Sequence, residues 1–167
     1  MEVWLRGPVP EIPTLLQPVA HALLQASEEI SELMKDFPDE LLWHRPAEVA
    51  SVAFHLQHIP GVLDRLFTYA NGESLSADQL HALKSEGVYS DSLTKDLLLD
   101  TLNKKINSVV NQLATMNEDS LSESRAVGRQ QLPSTKLGLI FHAAEHTQRH
   151  TGQLLVTVRV LSMSNEQ

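Results

Sequence analysis

Apolar residues recur at alternating steps of three and four along most of the chain, and this spacing predicts four long α-helices. We expect these helices at about residues 14–37, 47–69, 92–116 and 134–161. The second helix is expected to begin at Ala47 or Glu48, and the fourth to be capped by Ser134 or Thr135. No segment of useful length alternates apolar and polar residues as a half-buried strand does. The pattern therefore indicates an all-α protein.

Two of the predicted helices show the apolar seam most clearly. In the first, charged residues separate the apolar positions Leu16, Val19, Leu23, Ala26, Ile30, Leu33 and Phe37. In the third, the seam consists of Leu99, Leu102, Ile106, Val109, Leu113 and Met116, and no titratable residue interrupts it. We therefore interpret the third helix as scaffold for the core of a bundle.

The segments outside the four helices differ in length and character. Three prolines indicate that residues 1–13 form an extended lead-in. Residues 76–83 have the pattern of a short helix with Ser76 as its N-cap, whereas residues 117–133 are polar and are expected to be irregular. Residues 162–167 are expected to fray.

Together these elements predict a four-helix bundle that forms one domain over residues 1–167, with a short extra helix between helices 2 and 3. The connections at residues 72–91 and 117–134 are long enough for an overhand crossing. Helix spacing alone therefore leaves the up-and-down order of the four helices open.

Composition excludes several classes of function. The net charge is −8 and no basic cluster occurs, which argues against nucleic acid and anionic membranes as partners. The chain has no cysteine, so disulfides, thiol nucleophiles and cysteine-type zinc sites are excluded. The first residues lack the pattern of a secretory signal, and no apolar run approaches the ~18 residues of a membrane span. We expect a cytoplasmic protein.

Three of the eight histidines follow one another at four-residue spacing near the C-terminus: His142, His146 and His150. On a helix, residues four apart share a face, so two neighbouring members can reach one metal ion. All three cannot, because His142 and His150 are about 12 Å apart along the axis at roughly 1.5 Å per residue. A third ligand must come from another element. A His-x-x-x-His pair also occurs by chance, and surface or packing histidines are the alternative interpretation.

A second histidine cluster, His55 and His58, lies on the predicted second helix. Bundle cores are usual places for metal sites built from facing helices, and three neutral imidazoles suit zinc, nickel or a related ion. Three protein ligands leave a position open for water or substrate. Spacing alone does not choose between His142/His146 and His146/His150, or between His55 and His58.

Four further residues near these clusters could have structural or functional roles. Pro60 lies inside the second helix, where it either kinks the helix beside a pocket or affects packing alone. Arg65 and Gln153 lie one or two turns from the candidate ligands, and we favour a structural role for both over substrate orientation. Glu145 points about 100° around the helix from His146 and is expected to face solvent or another helix, so no separate general base is evident.

Several stretches of the sequence resemble the DinB/YfiT-like superfamily of four-helix, metal-binding proteins. The matching stretches are Ser51-Val52-Ala53-Phe54-His55-Leu56-Gln57-His58-Ile59, Leu63-Asp64-Arg65-Leu66-Phe67-Thr68-Tyr69-Ala70-Asn71-Gly72-Glu73 and His146-Thr147-Gln148-Arg149-His150-Thr151-Gly152-Gln153. With the order of the helices, the resemblance covers most of the chain, and the paired histidine motifs are fairly specific in combination.

The resemblance implies a ligand set that the spacing left open. In the family, one ligand is a histidine eight positions into a segment opened by a serine, which here is His58. The other two are the histidines of a His-x-x-x-His followed by x-Gly-Gln, here His146 and His150. His55 and His142 then become neighbours of the site, either hydrogen-bonding to a ligand or, as we favour, packing or surface histidines.

The resemblance also implies an up-down-down-up bundle, a homodimer, and nickel or zinc as the bound metal. Characterised relatives include enzymes that transfer a low-molecular-weight thiol to an electrophile and enzymes that isomerise a substrate with a thiol cofactor. We therefore expect a metal-dependent transferase or hydrolase acting on a small molecule. The alternative is a non-catalytic, dimeric, metal-binding bundle, and a third interpretation has the histidines packed without metal.

Overall fold

The computed structural model describes residues 1–165 and the side chains of residues 1–163. It contains the helices α1 (Gln17–Met34), α2 (Val52–Ala70), α3 (Ala77–Ser85), α4 (Lys95–Ala114) and α5 (Lys136–Asn165). A small antiparallel hairpin, β1 (Ser124–Val127) and β2 (Leu132–Thr135), precedes α5. The four long helices and the short extra helix between the second and third are those that the sequence predicts.

The hairpin corrects the prediction that residues 117–133 are irregular and that the chain has no strand. Val127 pairs with Leu132, and the connection uses left-handed backbone at Gly128 (φ 67°) and Gln131 (φ 51°). Each strand has only four residues, and neither buries a full apolar face. Strands this short and exposed leave no alternating apolar pattern in the sequence.

Capping residues set helix starts that the apolar spacing placed too early. α2 begins at Val52, because the side chain of Ser51 accepts the backbone N–H of Phe54. The preceding residues 46–48 form a 3₁₀ turn in which Ala47 has φ 48°, which a continuous helix does not allow. α4 begins at Lys95, behind the cap residue Thr94.

Three smaller predictions are settled by the structure. Ser76 caps α3 as predicted, in a capping box with Gln79. Residues 1–13 are not fully extended, because Val3–Arg6 form a 3₁₀ turn. Helix α5 continues to Asn165, beyond the predicted end at about residue 161. Residues 166–167 of the tail that is expected to fray lie outside the described part.

Contacts at one end of the bundle establish the direction of the helices. There Leu15, just before α1, donates to Glu118, just after α4. Leu137 at the start of α5 donates to Leu121, and Arg125 of the hairpin donates to Ala70 at the end of α2. The starts of α1 and α5 and the ends of α2 and α4 therefore lie together. This is the up-down-down-up order that the family resemblance implied.

The core fills the space between α1, α2, α4 and α5. Its largest fully buried side chains are Leu16, Leu23, Ile30, Met34, Leu42, Leu56, Ile59, Leu63, Leu102, Ile106, Leu113 and Ile140. On α4 the buried seam begins at Leu98, and Leu99 is only half-buried. α2 packs against both α4 and α5, so its α5-facing side brings histidines from two helices together. No helix in the described part is long and apolar enough to cross a membrane.

Candidate metal centre

Three histidines converge where α2 runs antiparallel to α5. His58 comes from α2, and His146 and His150 come from successive turns of α5. One ring nitrogen from each lies within 4.8 Å of the others. The Nε2 atoms of His58 and His146 are 3.0 Å apart, and the ring centroid of His150 lies 4.5 Å from each of the other two centroids. The structure thus brings together the three residues that the family resemblance singled out.

The surroundings of the cluster fix the His58 ring. The phenyl ring of Phe54, one turn earlier on α2, stacks on the imidazole with a centroid distance of 4.9 Å and an interplanar angle of 16°. The side chain of His58 is 16% exposed, so water reaches the cluster only in part. The three rings therefore form a partly sheltered group of nitrogen donors.

Burial favours the neutral imidazole, which is the form that coordinates a metal. Burial, reinforced by the neighbouring His58 and His146, lowers the pKa of His150 to about 3. Burial also lowers the pKa of His146, and the charge of His58 adds to this shift. The Nδ1 of His146 is buried and has no hydrogen-bond partner within the described residues. Three neutral imidazoles, with no carboxylate among them, fit a divalent first-row ion such as zinc or nickel.

His55 contacts this cluster directly. It is 2% exposed, and its Nδ1 lies 3.0 Å from the Nδ1 of His150. Burial lowers the pKa of His55 to about 4, with a further contribution from His58. His55 therefore makes a hydrogen bond to a candidate ligand and is more than the packing histidine that we favoured from the sequence.

Glu86 is the residue that the sequence analysis missed. It follows α3, and its Oε2 lies 2.6 Å from the Nδ1 of His58. Its Oε1 accepts a hydrogen bond of 2.6 Å from Arg65. No spacing links Glu86 to the histidines, because it comes from a connecting segment 28 residues after His58 in the chain. Arg65 has the structural role that we favoured, since it is buried and its charge is paired.

His142 lies beside the cluster and outside it. Its side chain is half exposed, and its Nδ1 is 3.4 Å from Oε2 of Glu145. Together with His146 these two residues form a second group whose ligand atoms lie within 4.8 Å of one another. Glu145 is also paired with Arg149, which lowers the pKa of its carboxyl. This second group is more exposed, and its carboxylate is already paired with the guanidinium of Arg149, so it fits a metal less well.

A cavity of about 520 Å³ is lined in part by His55. Its lining is largely apolar and includes the exposed residues Arg149 and Gln153 at its edge: Val49, Ala50, His55, Arg149, Gly152, Gln153, Val156 and Thr157. Gln153 thus lies on the cavity and not on the histidine cluster. His55 thus contacts both His150 and the cavity.

Comparison with known proteins identifies a family by sequence and several solved structures of similar fold. A sequence model of the DinB superfamily matches residues 22–154. No curated protein matches the chain. A conserved protein from Enterococcus faecalis has a similar fold, with a TM-score of 0.70 and 18% identity over 88% of this chain and 96% of that chain.

Two further solved structures are similar. A Streptococcus pneumoniae protein has a TM-score of 0.65 and 17% identity, and the match covers 87% of this chain and 88% of that chain. An uncharacterised protein from Clostridium difficile 630 has a TM-score of 0.63 and 14% identity, covering 87% of this chain and 94% of that chain. At these identities the structures establish a shared fold.

Proposed function

The chain belongs to the DinB superfamily, and on this premise we propose that it is a metal-dependent enzyme with His58, His146 and His150 as ligands of zinc or nickel. The observation that carries the proposal is the convergence of three ring nitrogens, from two helices, within 4.8 Å. The lowered pKa values of His146 and His150 support it, because they keep both rings available as neutral donors at neutral pH.

Three protein ligands are the number found in catalytic zinc sites, where a further position takes water or substrate. A divalent ion in such a site lowers the pKa of a bound water or thiol and polarises a bound carbonyl group. The chain's part is to hold the three donors, to orient their rings through His55 and Glu86, and to shelter them beneath Phe54.

We propose a small molecule as the substrate and a low-molecular-weight thiol as the co-substrate of a transfer reaction. In a hydrolysis reaction, water takes the place of the thiol. The cavity beside His55 supports a small molecule, because its volume of about 520 Å³ lies in the range of ligand pockets. Its apolar walls and the polar ends of Arg149 and Gln153 suit a compound with an apolar body and a polar or anionic group. The thiol rests on the family resemblance.

The test is a reaction screen with protein that has been stripped of metal and reloaded with zinc or nickel. A thiol and a set of electrophiles, followed by ester and amide substrates, are offered to wild type and to His150→Ala. We expect turnover that requires the metal and disappears in the variant. The non-catalytic alternative predicts stoichiometric metal and no turnover with any substrate. It also predicts that the absorption spectrum of the nickel-loaded protein does not change when a thiol is added.

A homodimer, which the family resemblance also implies, stays a prediction. Light scattering on the purified chain would show about twice the 18.6 kDa of one copy if it is correct.

A further inference from the structure

Polar contacts attach helix α3 and the residues after it to α2. α3 buries no residue of its own. At its start Gln79 donates to Asp64 and to Thr68 of α2. After its end the backbone N–H of Gly87 donates to the side chain of Gln57. Helix α3, which adds no buried side chain to the core, is therefore fixed at both ends against the helix that carries His58.

This attachment places one carboxylate at the histidine cluster. The side chain of Glu86 is 7% exposed, and each of its oxygens has a partner: Oε2 lies 2.6 Å from His58 Nδ1, and Oε1 lies 2.6 Å from Arg65. Arg65 supplies the opposite charge that a buried carboxylate requires. An ionised carboxylate can only accept, so His58 Nδ1 carries the hydrogen, and in the neutral ring Nε2 then keeps the lone pair. That Nε2 is the nitrogen that faces His146.

We propose that Glu86, clamped by Arg65, is a positioning residue that holds His58 as the Nδ1–H tautomer with its Nε2 directed into the three-histidine cluster. The inference rests on the proposed metal site and adds the residues that prepare it. Ligating histidines commonly donate their second N–H to a carboxylate, which fixes the ring and makes the ligating nitrogen more basic. Glu86 supplies that contact from a separate segment of the chain.

Gly61 gives the inference independent support and a sharp test. A Cβ atom at this position would lie 2.4 Å from Oε1 of Glu86 and 2.8 Å from Arg65 Nη1. Because Gly61 has no side chain, the ion pair of Glu86 and Arg65 fits against the backbone of α2. Gly61→Ala favours the helix intrinsically and removes no functional group, yet it must displace the carboxylate and the guanidinium. Gly152→Ala on α5 is the matched control, because a Cβ there meets no atom of the described residues within 4 Å.

The experiment combines two measurements on wild type, Glu86→Leu, Glu86→Gln and Gly61→Ala, with the exposed Glu73→Leu and with Gly152→Ala as controls. The tautomer of His58 is determined from ¹⁵N imidazole NMR spectra of the metal-free protein at pH 8, where an ordinary histidine is neutral. The zinc dissociation constant is measured by competition with a chelating dye. Circular dichroism checks that each variant is folded.

We expect wild type and both controls to show the Nδ1–H tautomer at His58. Glu86→Leu and Gly61→Ala should lose this preference and bind zinc about 10- to 100-fold more weakly. Glu86→Gln has a single acceptor oxygen, which Arg65 requires because a guanidinium can only donate. Its amide N–H₂ then faces His58 Nδ1, so this variant should also lose the preference for the Nδ1–H tautomer. If Glu86→Leu fails to fold because Arg65 is left unpaired, the tautomer and the zinc affinity of Gly61→Ala test the inference in its place.

Two results would overturn the inference: folded Gly61→Ala protein with the wild-type tautomer and zinc affinity, or a changed tautomer without any change in affinity. Failure of the metal site itself looks different. In that case wild type binds no zinc at all, and the tautomer in the metal-free protein alone decides whether Glu86 fixes His58.

Discussion

The Nδ1 atoms of His55 and His150 lie 3.0 Å apart across the interface of α2 and α5. Two neutral imidazoles can share only one hydrogen in such a contact, so one ring donates and the other accepts. If His150 donates, its Nε2 is free to bind a metal, and His55 becomes the acceptor that sets this arrangement. His55 therefore contacts both the candidate metal ligand His150 and the cavity.

Replacing His55 by leucine should weaken metal binding without removing a ligand. His150 would lose its acceptor and its fixed ring orientation, and the loss of such a contact typically lowers metal affinity about 10- to 100-fold. Competition with a chelating dye measures the zinc affinity of His55→Leu beside His81→Ala, whose histidine is exposed on α3. An affinity of His55→Leu equal to wild type would show that the contact does not serve the site.

The metal-free protein should lose stability as the pH falls from about 6.5 to about 4. Burial lowers the pKa of His55 to about 4 in the folded protein, whereas it is about 6.5 in the unfolded chain. Between these values the unfolded chain binds a proton that the folded protein does not, so this contribution is fully present above pH 6.5 and declines below it. The titration of His55 alone should lower the unfolding free energy at pH 5 by roughly 2 kcal/mol relative to its value well above pH 6.5.

Urea unfolding of the metal-free protein at pH 7.5 and pH 5 measures this loss, and His55→Leu serves as the reference. The drop in unfolding free energy should be smaller in the variant, because its residue 55 does not titrate. An equal drop in both proteins would assign the pH dependence to other groups.

Removing the metal should leave the fold intact. The core is formed by apolar side chains from α1, α2, α4 and α5. Its fully buried members, such as Leu23, Leu102 and Ile140, form an apolar cluster that contains no histidine. Circular dichroism after treatment with a chelator should show unchanged helicity and a cooperative melt at a lower temperature. Complete unfolding on chelation would instead indicate a structural metal.

Helix α4 should behave as scaffold only. Leu102→Ala removes a fully buried side chain and should lower the unfolding free energy by about 2–5 kcal/mol. Because no residue of α4 belongs to the histidine cluster, the metal content of the folded variant should equal that of wild type. Denaturant unfolding and elemental analysis of one preparation check both statements, and a variant that is stable but metal-free would contradict them.

Much of the architecture follows from the sequence because the long helices have strong apolar periodicity. The spacing identified all four and the short helix capped by Ser76. It placed the starts of α2 and α4 too early, since the capping side chains of Ser51 and Thr94 decide where a helix begins. The hairpin was missed because its short, exposed strands of four residues leave no alternating apolar pattern in the sequence.

The candidate site was predictable only for residues that share a repeating face. His146 and His150 are one turn apart on a helix, and the family resemblance selected His58 as their partner. Glu86 was not predictable, because it reaches His58 through tertiary packing of a connecting segment. The contact of His55 with His150 likewise depends on the register of two helices that are distant in sequence.

The most direct test is elemental analysis of untagged protein purified without chelator, in wild type, His58→Ala and His142→Ala. The two groups of candidate ligands share His146, and these variants separate them, since His58 belongs to one and His142 to the other. We predict about one zinc or nickel ion per chain in wild type and in His142→Ala, and loss of the metal in His58→Ala. A wild type that stays metal-free after reconstitution with zinc, nickel and manganese, or His58→Ala protein that keeps its metal, would contradict the three-histidine site.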